Sequence, residues 1–156
     1  MSKQKPKRNK AYKAKPVRLP VTGSLRHDFG LVLHMAVETA RIGHFSKVQY
    51  DRISQAINCV WGALYLKPPK DASAVAVIEG AMRAMNDAGR RGDASGIWVL
   101  RELEQAAVLA GIHKIEELLP VMDVMMLYQS MRKLKAMEMA ERTHGAINMM
   151  DERKAA

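Results

Sequence analysis

Two imidazoles and a carboxylate spaced for one helix face form the most chemically capable group in this sequence. His27 and His34 stand seven apart, and Glu38 follows His34 by four, with Asp28 alongside. On an α-helix the first three share a side, and such a set can hold a transition metal. The same spacing describes an ordinary solvated face, with His34 and Glu38 as an i,i+4 contact beside Arg41. That plainer reading is the expectation, so no metal, no cofactor and no catalytic residue is assigned. His113 and His144 read as lone histidines near helix ends, where they suit the negative end of the dipole.

Other reactive patterns are missing. The sequence has no Gly-rich loop ending in Lys-Ser/Thr, no Rossmann glycine pattern and no His-Glu-x-x-His. One cysteine cannot supply a zinc finger or an internal disulfide. Cys59 lies in the apolar run INCVWGALYL, which predicts a buried core thiol. The expectation is a protein that is not an enzyme.

The charge distribution is more informative. Residues 1–19 carry eight Lys/Arg and no Asp/Glu, whereas residues 20–156 carry seventeen basic and sixteen acidic residues. The basic tail therefore points to a polyanionic partner, nucleic acid or an acidic protein surface. Lys3, Lys5, Lys7, Arg8, Lys10, Lys13, Lys15 and Arg18 would contact phosphates, and Tyr12 could stack on an unpaired base. Pro6, Pro16 and Pro20 interrupt any helix there, and few large apolar groups are present, so residues 1–22 are expected to be a disordered tail. A second basic point is GRRG, Gly89–Gly92. It reads first as a plain helix-hairpin turn; as the alternative, such a loop lets Arg90 and Arg91 make a second phosphate contact. The tail shows no apolar stretch of signal-peptide type, and no run is long enough to span a membrane.

The elements that must carry these residues are helical. Leu25, Phe29, Val32, Leu33, Ala36 and Ala40 recur at helical spacing, with Ser24 as cap and Gly43 as stop. Ser46 and Gln49 match a capping box for a second helix, with Ile53, Ile57, Val60, Trp61 and Leu64 inward and a stop before Pro68-Pro69. Asp71 caps a third helix with Val75, Ile78, Met82 and Met85 inward. AGRRGD, Ala88–Asp93, is expected to break it, and Ser95 to open a fourth helix with Ile97, Leu100, Leu103, Ala107 and Val108 inward. HKIEELL reads as a separate turn or kinked lead-in. The last helix is expected from near Pro120 to about His144, with Glu138 and Arg142 as a surface pair. Arg41, Gly43 and Ser46 match Arg90, Gly92 and Ser95 in an Arg-x-Gly-x-x-Ser pattern. This is either a duplication or two hairpins with the same turn chemistry.

Twelve methionines are many for this length, and eight lie from Met122 onward. VMDVMML, Val121–Leu127, has one charge, so it must be covered on most sides. Met122, Met125 and Met126 then belong either to the core or to a surface shared with a homodimer partner or another protein. The reading as a whole is an all-α bundle of about five helices built from helix hairpins. It has a basic tail (1–22), a helical domain (23–146) and a flexible C-terminal end (147–156).

A chain opening KPKRNKAYKAKPV (Lys5–Val17), followed by a hairpin turn of RIGHFS type, resembles small accessory proteins of bacteriophages and prophages. The resemblance covers the tail and the first hairpin and transfers no site residue. It implies an accessory role in a bacterial host cytoplasm. Two functions follow as expectations. One is a non-enzymatic factor whose tail holds nucleic-acid phosphates without sequence choice. The other is an inhibitor or adaptor whose helical surface binds a host protein, of anti-defence or host-takeover type.

Overall fold

The computed structural model describes residues 19–69 and 71–139. The expected tail contacts from Lys3 to Arg18, the flexible end at 147–156, His144 and the Glu138–Arg142 pair fall outside what is described. Among the described residues there are five α-helices, one 3-10 turn and no strand: α1 Gly23–Arg41, α2 Lys47–Leu66, α3 Ala72–Ser95, α4 Glu102–Leu118, and α5 Val124–Met139 after a 3-10 turn at Leu119–Val121. The all-α bundle read from periodicity is the architecture observed.

The helices begin and end where local chemistry directs. Thr22, not Ser24, caps α1, its hydroxyl accepting from the Leu25 N–H at 3.3 Å. Gly43, at φ +81°, turns the chain out of α1 in the left-handed region that glycine enters freely. Ser46 and Gln49 form the expected capping box at α2. α2 ends at Leu66, before Pro68-Pro69, and Asp71 caps α3 through the Ser73 N–H at 2.9 Å. Asp123, the one charge of VMDVMML, accepts from the Met125 N–H at 2.9 Å and so starts α5.

α4 lies between α1 and α3, while α2 packs on α1, α3 and α5. The stripe expected for α2 is buried throughout, and so are Val75, Ile78, Met82 and Met85 of α3. On α1 the buried face is rotated. Leu33, Ala36, Val37 and Ala40 are inside, but Leu25 and Val32 are exposed. α1 carries apolar groups on two sides, and only the side touching α2 and α4 is covered.

α3 runs through AGRRGD to Ser95, and Gly96 at φ +71° ends it. Gly89 and Gly92 stay helical because neighbours occupy the space their side chains would fill. The Tyr50 hydroxyl lies on Gly89, and a Cβ on Gly92 would meet the Trp98 indole at 2.6 Å. Close approach offsets the roughly 1 kcal/mol that helical glycine costs. Ser95 therefore opens no helix; its hydroxyl bonds back to the Arg91 carbonyl at 2.7 Å. α4 starts at Glu102, so Ile97 and Leu103 are exposed, while Leu100 and Val108 are buried. HKIEELL is the continuous end of α4, ending in the 3-10 turn that holds Pro120. The Arg-x-Gly-x-x-Ser pattern is thus a turn in one copy and helix interior in the other, so the two copies do not share a turn chemistry.

Residues 19–22, placed in the tail by their composition, are docked on the body. Val21 is buried, and the Leu19 carbonyl accepts from the Val124 N–H at 2.9 Å. Of the Met-rich segment, Met125 is exposed and Met122 and Met126 are half-buried. α5 thus covers α2 with one face and leaves Met125, Tyr128 and Met131 outside.

Candidate functional site

α1 and α4 bring His34 to a pair, His113 and Glu116, that lies about eighty residues further along the chain. His34 Nε2 lies 3.0 Å from Glu116 Oε1, and His113 Nδ1 lies 3.5 Å from Glu116 Oε2. The two imidazole rings are 5.3 Å apart between centroids. The carboxylate therefore sits between two rings, one oxygen toward each. His113 and Glu116 are neighbours on α4 by their i,i+3 spacing, and the packing of α1 against α4 supplies His34.

Gly30 makes this approach feasible. A Cβ there would stand 2.5 Å from Glu116 Oε1. Glu116 thus lies directly over α1 backbone, in a gap that any larger residue would fill. Side chains of His34 and Glu116 are about one-third exposed and that of His113 is 58% exposed, so the cluster is open to solvent on one side. Beside it runs a groove of about 270 Å³ lined by His34, Glu38, Arg41, Glu102, Gln105 and Leu109.

The expected His27–His34–Glu38 face is not a unit. Glu38 receives the Arg41 Nε–H at 2.8 Å, and His34 turns to Glu116 across the helix interface. His113 sits inside α4 and not at a helix end. Arg91 is also engaged: its guanidinium forks onto Glu104 at 2.7 and 2.5 Å, tying α3 to α4. The expected second phosphate contact therefore loses Arg91, while Arg90 is exposed on α3. Lys47 lies over the Trp98 ring at 5.5 Å and pairs with Asp51.

Cys59 is half-buried between α2 and α5, its thiol toward the Leu127 carbonyl at 3.6 Å. Burial pushes its pKa to about 11, which keeps it a thiol and disfavours nucleophilic use. Beside it a mostly apolar groove of about 260 Å³ is lined by Leu25, Phe29, Leu127, Tyr128 and Met131.

Glu104 gives the body a pH dependence. Burial alone would raise its carboxyl, but the Arg91 hydrogen bonds, the Arg101 N–H at 2.8 Å and the nearby positive charges outweigh this and hold it below its ordinary 4.5. A depressed carboxyl stabilises the fold above its unfolded value, and that contribution is lost as pH falls through the folded value. Melting temperature is therefore expected to fall more steeply below about pH 4.5 in the wild type than in Glu104→Gln. At pH 7 the same substitution should cost about 1–3 kcal/mol, because Arg91 loses its charged partner. Equal acid profiles in a pH series of thermal melts would remove Glu104 from this role.

No family model matches the sequence, and no curated protein or solved structure is significantly similar to it.

Proposed function

We propose a non-enzymatic binding protein, a phage-type accessory factor whose basic N-terminal segment holds nucleic-acid phosphates on a helical platform. The observation that carries this reading is the segregation of charge. Eight cations and no acid occupy residues 1–19, while the remainder is nearly balanced. In the described body Arg41, Lys47, Arg83, Arg91 and Lys114 each face a carboxylate. Those side chains already have anionic partners, and the tail carries its eight cations with no acid among them. Function in a bacterial host cytoplasm belongs to the same proposal. No described helix is long and apolar enough to cross a membrane.

A second reading is favoured by one surface. Leu25, Val32, Met35 and Ile42 are exposed along α1 at heptad-like spacing. Such a stripe suits an inhibitor or adaptor that lays α1 against a host protein. Direct titration of labelled duplex and single-stranded oligonucleotides with the full chain and with residues 19–156 separates the two. The tail reading expects binding that is lost on truncation, with helicity retained. Equal binding by both forms would move the nucleic-acid contact from the tail to the body, and no binding near micromolar concentration would favour the α1 surface.

A further inference from the structure

We infer that His34, His113 and Glu116 form a binding site for a late first-row divalent cation, with zinc the best chemical match. The argument starts from the donors. Two imidazole nitrogens and one carboxylate oxygen all lie within 4.8 Å of one another, the one such group among the described residues. Imidazole suits zinc, copper and nickel, whereas calcium and magnesium prefer oxygen ligands. Zinc–ligand bonds of about 2.0–2.1 Å separate tetrahedral donors by roughly 3.3 Å. Glu116 already stands near both rings, its Oε1 3.0 Å from His34 Nε2 and its Oε2 3.5 Å from His113 Nδ1, so either oxygen could serve one metal. All three donors lie within 4.8 Å of one another, and His113, the most exposed of them, is the ligand that has to move to complete the set.

The scaffold favours the same conclusion. Two ligands come from α4 at i,i+3 and one from α1, so three donors are held by two packed helices and not by loops. The gap over Gly30 seats the carboxylate at the interface, where a Cβ would stand 2.5 Å from Oε1. A plain surface ion pair needs no such cradle. Three protein donors leave a coordination position open, and the neighbouring groove shares His34 with the cluster and carries Glu38, Glu102 and Gln105. That position would take water. The site goes beyond the tail reading and is independent of it, since none of its residues lies in residues 1–19.

The test uses the full chain, treated with chelator and then titrated with zinc chloride by calorimetry, with cobalt(II) absorption as a second readout. One zinc per chain is expected, with a rise in melting temperature when zinc is added and visible cobalt bands of four- or five-coordinate character. His113→Ala and Glu116→Gln should each weaken zinc by at least the 10–100-fold, roughly, that loss of a supporting partner costs at metal sites. His113 is mostly exposed, so its replacement tests the site without disturbing the core. His27→Ala, in an exposed histidine outside the cluster, should leave affinity unchanged. No binding by the folded wild type up to millimolar zinc overturns the proposal. Undiminished affinity in His113→Ala overturns it equally, because the metal would then sit elsewhere.

Discussion

Raising salt from about 50 to 200 mM is expected to weaken binding of the full chain to duplex DNA by about 10³-fold, if six tail cations contact phosphate. The effect follows from counterion release. Each neutralised phosphate frees about 0.9 of a condensed ion, so six contacts give a log–log slope of about −5. Neutralising Lys5, Lys7, Arg8 and Lys10 together should flatten that slope by about 3–4. Replacing Tyr12 with Ala should weaken single-strand binding by about 1–3 kcal/mol and leave duplex binding nearly unchanged, because only an unpaired base offers a face to stack on. The same titrations on Arg90→Ala test the remaining exposed arginine of GRRG. A full slope carried by the tail predicts no change there. A flat salt response of the full chain would end the nucleic-acid reading.

The parts of the fold legible in the sequence are those with several local signals in agreement. α2 has a capping box at Ser46 and Gln49, an unbroken stripe from Ile53 to Leu64, and a proline stop. Asp71 and the inward face of α3 are similar. Errors arose where a residue's local preference met a tertiary partner. Gly89 and Gly92 look like breakers, but Tyr50 and Trp98 pack on them and the helix continues. Val32 looks like core, yet the neighbouring helices cover the opposite turn of α1 at Leu33 and Val37. Of the candidate cluster only His34 stands out in the sequence, since His113 reads there as a lone histidine near a helix end. The union of the three is not legible, because His34 and Glu116 are eighty-two residues apart and no periodicity spans two helices. Gly30, four before His34, was the one further mark, and it acquires meaning only once α4 is laid across it.

Replacing Trp61 with Ala is expected to cost about 3–5 kcal/mol, the largest single-residue loss in the bundle. Trp61 has no exposed surface and sits where α2 meets the rest of the core. Its ring stacks on Tyr65 at 5.5 Å between centroids, and its indole N–H donates to Glu79 Oε1 at 3.3 Å. Truncation therefore removes apolar burial, an aromatic pair and one hydrogen bond, and leaves a cavity that two packed helices cannot fully close. Natural domains hold about 5–15 kcal/mol in total, so the loss should lower the melting temperature by about 10–20 °C. Trp61→Phe separates the contributions. It keeps the six-membered ring but removes the N–H and leaves a smaller cavity, so about 1–3 kcal/mol is expected, from Glu79 losing a donor and from lost packing. Trp98→Phe, in a residue only partly buried, serves as the reference for tryptophan loss at the edge of the core. Thermal melts of the three variants decide the matter. A drop of only a few degrees for Trp61→Ala would mean that α2 does not bury this ring against α3, and the packing at the centre of the bundle would have to be redrawn.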